Sequence, residues 1–336
     1  MADKVRMGFV GLGWWSEMLA EAATRSKRIQ IAACHSKSAG KMVTFTGKYG
    51  GVSKKRYEDM VTDDAIDAVV LTTPNSAHAP QAIEAARNGK HIFVEKPIAL
   101  TVVDGRKMIA AAKEAGVVLA VGQNARRMAR YRKAQDLIKK GAIGEVILAE
   151  GNSSLDAGMK LTPEKWRWYR EESPGGPLMS LTIHHADNLN HLVGPIKRVT
   201  AFISKICGKA DADDVVSAAV EFENKALGYL GGSYLTPVRN FLQIHGVEGV
   251  ILVDEEGGSA YYQKKGTSNL VKQVLPDGET QRRDSLSEEI NEFASSIQEG
   301  GRPEVSGEEG LAALAVIEAI IKSAESGLPM EIKNLH

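Results

Sequence analysis

The chain has 336 residues, 43% hydrophobic and 25% charged, the proportions of an ordinary globular protein of about two domains. Lys plus Arg and Asp plus Glu number 42 each, so no charge excess points to nucleic acid or an anionic membrane surface as a partner. The two cysteines, Cys34 and Cys207, lie far apart, which argues against a disulfide scaffold and for a reducing compartment. Met1 to Lys4 run into strand-like sequence without a signal-peptide block, and the longest apolar stretch, near 311–321, is too short to span a bilayer. The expectation is a soluble, cytoplasmic protein with no membrane partner.

Strands alternate with helices through the first third. Strand is expected over 5–10, 29–34, 66–72, 91–94 and 117–121, and helix over 16–25, 39–49, 77–88 and 102–115. Such alternation reads as βαβ units around a parallel sheet. Gly89 and Gly116 sit where helix C-terminal glycines belong. After about Gln123 the pattern changes. A helix over 130–140 and a strand near 146–151 precede a loop rich in Gly, Pro and Trp, then a helix over 181–192. Strands follow without helices between them, over 198–206, 215–223, 226–235, 241–245 and 249–253, as in an antiparallel sheet. Helices over 286–298 and 308–326 close the chain. This divides it into residues 1–123 and 124–336.

Alternation in the strand over 215–223 puts Val216, Ala218, Val220 and Phe222 on one face. Val215, Ser217 and Ala219 fall on the other, next to Gly231, Gly232 and Ser233 of the following strand. Neither face is strongly charged. Either helices cover both faces, or one weakly polar face stays open as a contact between copies.

The first strand ends in Gly11-Leu12-Gly13-Trp14-Trp15-Ser16 and leads into a helix. The first glycine permits a tight turn, and the second lets a pyrophosphate approach the backbone at the helix N-terminus. Ser16 stands where the dinucleotide-binding fingerprint has its third glycine. Trp14 and Trp15 read equally as core packing or as a wall beside a nicotinamide or substrate. At the end of the second strand, where a carboxylate often reads the ribose hydroxyls, the run is Cys34-His35-Ser36-Lys37, with Lys41 a turn later. A hydroxyl and two lysines favour a 2′-phosphate, hence NADP over NAD. Read blandly, both lysines are solvated surface charges.

These features join further segments in order: Thr73-Pro74-Asn75-Ser76-Ala77-His78, Glu95-Lys96-Pro97, Gly122-Gln123-Asn124-Ala125-Arg126, Trp166-Arg167 before Gly175-Gly176, His184-His185-Ala186-Asp187 before Gly194, and Ser306 to Leu311. Nearly the whole chain thereby resembles the glucose–fructose oxidoreductase / inositol dehydrogenase (Gfo/Idh/MocA) family. The resemblance implies an α/β protein: an N-terminal Rossmann domain with a doubly wound parallel sheet, and a C-terminal α/β domain with an open, mainly antiparallel sheet that joins dimers or tetramers. It implies cofactor contacts at Gly11, Gly13, Trp14, Trp15, Ser36, Lys37, Lys41, Thr73, Pro74, Asn75, His78, Glu95, Lys96, Asn124, Trp166 and Arg167. It places a small-molecule substrate between the domains, at Lys96, Arg126, His184 and Asp187. Three positions depart from the family pattern: Ser180 for an aspartate four residues before the histidine, Thr182 for a glycine, and Ala129 near an expected proline.

Oxidising an alcohol needs a base for its proton, and the reverse needs positive charge beside the developing alkoxide. Lys96, at a strand end, suits the second task. His184 is the expected base, with Asp187 at i+3 to orient it or to touch substrate hydroxyls. His185 points about 100° away around the helix, and His191 lies two turns on. No cysteine cluster or i,i+4 histidine pair argues for a metal. Arg126, Arg127 and Arg167 could hold an anionic group or be structural. The leading reading is an NADP(H)-preferring oxidoreductase of a sugar, polyol or related hydroxy or keto compound. The alternatives are a glycoside-cleaving enzyme working through a keto intermediate on tightly bound cofactor, and a catalytically silent binding protein.

Overall fold

The computed structural model describes residues 3–335; the outermost residues of the expected segments, Met1, Ala2 and His336, lie outside them. In chain order the elements are β1 (Val5–Val10), α1 (Trp14–Thr24), β2 (Ile29–His35), α2 (Ala39–Tyr49), β3 (Val52–Ser53), α3 (Glu58–Val61), β4 (Ala68–Leu71), α4 (Asn75–Arg87), β5 (His91–Glu95), α5 (Val102–Ala115) and β6 (Leu119–Gly122). Then come α6 (Ala129–Lys139), β7 (Val146–Ser154), α7 (Ile183–Leu192), β8 (Ile196–Ser204), β9 (Val215–Phe222), β10 (Leu227–Ser233), β11 (Arg239–Gly246), β12 (Gly249–Asp254), β13 (Ser259–Lys264), β14 (Val271–Lys272), α8 (Gly278–Glu299), α9 (Gly307–Ser326) and β15 (Met330–Glu331). Among the described residues no helix is long and apolar enough to cross a membrane.

The chain divides into two compact units. Residues 1–124 and 283–311 form the first, and 125–282 with 312–336 the second. Residues 283–311, which fall in the second segment of the sequence reading, therefore belong with the first unit.

The first unit is built on six parallel strands in the order β3-β2-β1-β4-β5-β6. The chain moves outward from β1 through β2 to β3, then returns to β1's other side for β4. That reversal leaves a crevice at the carboxyl ends of β1 and β4, the place where such sheets take ligands. β1 is buried nearly throughout, with Met7 and Phe9 fully enclosed. Leu286, Ile290, Phe293 and Ala294 of α8 join this core at helical spacing, and the Phe293 and Phe93 ring centroids lie 5.8 Å apart.

The second unit carries a nine-stranded sheet, β14-β13-β12-β11-β7-β10-β9-β8-β15, antiparallel except for the β7–β10 pair. β9 alternates as its sequence dictates: Val216, Ala218, Val220 and Phe222 are buried, while Ser217 and Ala219 are exposed. In register beside them, Phe202 of β8 pairs with Ser217 and is 78% exposed, and Leu227 of β10 pairs with Glu221 and is 58% exposed. Of the two readings of this sheet, an open face is observed in the unit at Phe202, Ser217, Ala219 and Leu227, but Gly231, Gly232 and Ser233, expected beside it, are buried.

Three short edge strands, β3, β14 and β15, and the six-residue β13 were not anticipated. β13 (Ser-Ala-Tyr-Tyr-Gln-Lys) buries only its first two residues, so its apolar alternation is too weak to stand out. The helix expected to begin at 181 starts at Ile183 and is preceded by a single π turn, Leu178–Thr182.

Candidate active site

In the first unit the expected site residues gather at the carboxyl ends of successive strands. Gly11 follows β1, Ser36 follows β2, Thr73 follows β4, Glu95 ends β5, and Asn124 follows β6. At Gly11 φ is +86°, and a Cβ would lie 2.9 Å from the Thr72 backbone carbonyl. Only glycine fits there without strain. The turn is pinned on both sides: Gly11 N–H donates to the His35 carbonyl at 3.0 Å, and the Thr72 hydroxyl donates to the Val10 and Gly11 carbonyls at 3.1 and 2.5 Å. Gly13 is the N-cap of α1, has no side-chain cap, and would meet nothing within 4 Å if it bore a Cβ. The chain itself does not require glycine there. An uncapped helix start with open room above it fits a dinucleotide pyrophosphate.

Trp14 is 62% exposed and Trp15 half-buried, their ring centroids 5.3 Å apart. Ser16, at the third-glycine position, is fully enclosed. At the end of β2, Ser36 Oγ accepts from Ser38 N–H at 3.3 Å, and Ser38 caps α2 by accepting from Lys41 N–H at 3.4 Å. Lys37 and Lys41 are exposed. Lys41 lines a cleft of about 640 Å³ with Leu12, Gly13, Trp14, Ser38 and Tyr49. No carboxylate occupies residues 35–41.

Pro74 is the N-cap of α4 and Asn75 its buried first residue; Thr73 Oγ1 donates to Gln81 Oε1 at 2.7 Å. His78 was expected to touch cofactor, but its ring faces the chain. It is 1% exposed, with Nδ1 2.8 Å from the Pro97 carbonyl and Nε2 3.0 Å from the Thr73 carbonyl. It braces the loop after β4 against the loop after β5. Lys96 is half-buried just beyond β5, and its bond to Pro97 is cis. Glu95, 7% exposed, accepts the Trp15 indole N–H on Oε1 and the Lys96 N–H on Oε2 at 3.2 Å. Asn124, also expected at cofactor, is 2% exposed and donates its amide to Ser285 Oγ at 3.0 Å.

In the second unit, α7 rests on the sheet through one face. His185 is fully buried, its Nε2 3.0 Å from the Asn152 carbonyl, and it packs so close to Gly151 that a Cβ there would be 3.2 Å from the His185 Cβ and 3.3 Å from its ring Cγ. His184, about 100° around the helix, is half-buried. Asp187 was expected to orient His184 or meet substrate, and Arg126 to hold substrate. The structure joins the two in a buried ion pair. Arg126 Nε donates to Asp187 Oδ2 at 2.9 Å and Nη2 to Oδ1, with the side chains 4% and 1% exposed. The guanidinium fork matches a carboxylate edge to edge, so this geometry occupies both oxygens. His191 stands beside the pair, Nδ1 3.4 Å from Arg126 Nη1 and Nε2 2.6 Å from Gln135.

Ser180 lies in the π turn, a feature often found at functional sites. It faces the hydroxyl of Tyr234; burial pushes that phenol's pKa up, and Ser180 and the charge of Arg167 oppose the rise. Trp166 is half-buried and Arg167 exposed, the guanidinium 4.1 Å from the indole ring centre. Thr72, Gly122, Ser285 and Tyr234 were absent from the expected site. Thr72 and Gly122 had local signals, the first as the residue before the Thr-Pro-Asn segment and the second as the start of the Gly-Gln-Asn segment.

A glycine turn at a parallel-sheet switch point, an open helix N-terminus and a lysine just past β5 fit a dinucleotide-dependent enzyme. Residues 5–123 match the oxidoreductase family's NAD-binding Rossmann-fold domain, and residues 135–332 its C-terminal alpha/beta domain. The chain is 31% identical over 98% of both lengths to a 1,5-anhydro-D-fructose reductase of Ensifer adhaerens, and 26% identical over 98% of its length and 99% of the other to a myo-inositol 2-dehydrogenase of Thermotoga maritima. A crystal structure from Desulfitobacterium hafniense, described provisionally as an NADPH-dependent oxidoreductase, superposes with a TM-score of 0.92 at 30% identity, covering 100% of this chain and 99% of that one. The chain belongs to the Gfo/Idh/MocA oxidoreductase family and is an NAD(P)-dependent oxidoreductase acting on a CH–OH group.

Proposed function

We propose that the chain interconverts a hydroxyl and a carbonyl on a sugar, polyol or related compound, with NADP(H) preferred over NAD(H). The observation that carries this reading is the strand-end array: the Gly11–Gly13 turn, Ser36 with its lysines, and Lys96 all occupy the carboxyl edge of one parallel sheet. The names of the related anhydrosugar reductase and inositol dehydrogenase support the substrate class. When bound, the nicotinamide supplies or accepts the hydride. The chain supplies the rest. His184 takes the hydroxyl proton in oxidation and returns it in reduction. The Lys96 ammonium stabilises negative charge on the reacting oxygen. Net turnover of added cofactor with a panel of sugars, polyols and anhydrosugars tests the reading; cofactor binding without net turnover would favour a glycoside-cleaving or silent binding protein.

The cofactor preference rests on Ser36, Lys37 and Lys41, with no carboxylate among residues 35–41; Glu17 is the acidic residue that lines the cleft beside Lys41. Each contact of an exposed lysine with a 2′-phosphate should contribute on the order of 1 kcal/mol. NADPH should therefore bind roughly tenfold or more tightly than NADH in calorimetric titration. Ser36→Asp should reverse the order by setting a negative charge against the phosphate. Equal or tighter NADH binding to the unaltered protein rejects the preference.

We also propose a homodimer or homotetramer assembled on the open face of the nine-stranded sheet. Exposed Phe202 and Leu227 beside exposed Ser217 and Ala219 support it. Light scattering at micromolar concentration should show the assembly, and Ser217→Arg with Ala219→Arg should dissociate it. Assembly that survives both arginines rules out this face. Both cysteines are free thiols, Cys34 buried and Cys207 exposed, which supports a reducing compartment such as the cytoplasm.

A further inference from the structure

Glu95 and Trp15 lie 80 residues apart in sequence and touch in the folded first unit. Trp15 is the second residue of α1, directly after the phosphate-facing turn. Its indole N–H meets Glu95 Oε1, while Glu95 Oε2 takes the backbone N–H of Lys96 at 3.2 Å. Gly122 stands opposite Glu95 in the β5–β6 register. A Cβ on Gly122 would be 2.5 Å from Glu95 Oε1 and 2.9 Å from Cδ. The carboxylate thus occupies space that the glycine leaves, and it is 7% exposed. An anion so enclosed is tolerated only with donors aimed at it, and the indole and the Lys96 amide are two of them. One carboxylate therefore ties the start of α1 to the backbone of Lys96.

We propose that Trp15 and Glu95 are positioning residues: they fix the backbone at Lys96 relative to the phosphate-binding turn, and so aim the lysine ammonium at the reacting oxygen. This gives Trp15 a part beyond core packing or a wall for the cofactor. It rests on the reading of Lys96 under the proposed function. Glu95 acts here through the chain and not through a cofactor contact, and Gly122 is glycine because the carboxylate needs its volume.

Trp15→Phe tests the inference, because it keeps an aromatic ring and deletes the N–H. Turnover should fall about tenfold, while substrate KM and the calorimetric Kd for cofactor each move less than about threefold. Gly122→Ala, which crowds the carboxylate from the other side, should give the same split. Adding Trp15→Phe to Glu95→Gln should cost less than about twofold more, since the two act as one unit. A readout that needs no substrate separates this inference from the functional one. The acetylation rate of Lys96 by acetic anhydride, followed by mass spectrometry, should change at least about threefold in Trp15→Phe and in Glu95→Gln, whether or not the protein turns over a sugar. Lys96 labelling within about twofold of the unaltered protein in both variants overturns the proposal. So does a Trp15→Phe effect that falls on cofactor Kd alone, which would make the indole a cofactor contact. Should Trp15→Phe not fold, Glu95→Gln is read by the same two assays with the same outcomes.

Discussion

Lys96→Ala and His184→Ala each lower turnover by roughly 10²-fold or more, the usual loss when a positioned proton-transfer or charge-stabilising group is removed. Lys96 stands just past β5 with its backbone held by Glu95, so the truncation removes the ammonium and leaves the strand end in place. His184 is half-buried on α7 next to the fully buried His185, and its backbone carbonyl accepts from the Asn188 side-chain amide at 2.8 Å. Steady-state kinetics paired with calorimetric cofactor binding checks the assignment. Cofactor affinity should survive His184→Ala, and Ser180→Ala should cost far less than either change. His185→Ala is the control. Its ring is fully buried against β7 and hydrogen-bonded to Asn152, so its loss should appear as about 2–4 kcal/mol of stability. Near-native turnover in His184→Ala, with a large loss in a well-folded His185→Ala, would transfer the role to the neighbouring ring.

Asp187→Ala should destabilise the second unit by about 3–5 kcal/mol, the range for stranding one member of a buried ion pair. Arg126 and Asp187 are 4% and 1% exposed and joined through both carboxylate oxygens, so the still-enclosed guanidinium would lose this bidentate partner. Removing both charges, as Arg126→Met with Asp187→Leu, should cost less than the single change, because no orphan charge remains. Denaturant unfolding measured on all three variants decides the matter. A stable Asp187→Ala protein that has lost turnover would instead put that carboxylate to work on substrate.

Much of the first unit could be read from sequence because its signals are local. The strands that became β1, β2, β4 and β5 are short apolar runs between amphipathic helices, and the glycine turn carries its own chemistry. The helices α1 and α4 begin two residues before their expected starts, at Trp14 and Asn75, since both first turns are spent in the ligand-facing loops. What escaped the sequence were partnerships across long separations. Nothing near Trp15 announces Glu95, and the spacing of Asp187 on its helix pointed to His184 rather than to Arg126, 61 residues earlier. His78 looked like a cofactor contact because it lies in the motif, yet its two nitrogens serve backbone carbonyls. The apolar spacing of α8 predicted a helix but was silent about which sheet it would cover.

That last placement bears on the order in which the protein is made. The first unit begins with β1 but lacks Leu286, Ile290, Phe293 and Ala294 until residues 283–311 have been synthesised. Val121 N–H also waits for the Val305 carbonyl, 3.0 Å away in the finished fold. On the ribosome, where chains emerge from the N-terminus and domains tend to fold in that order, residues 125–282 of the second unit are out before the first can close its core. Phe93 lacks its Phe293 partner through most of translation, and the portion of the chain that starts first is completed near the end.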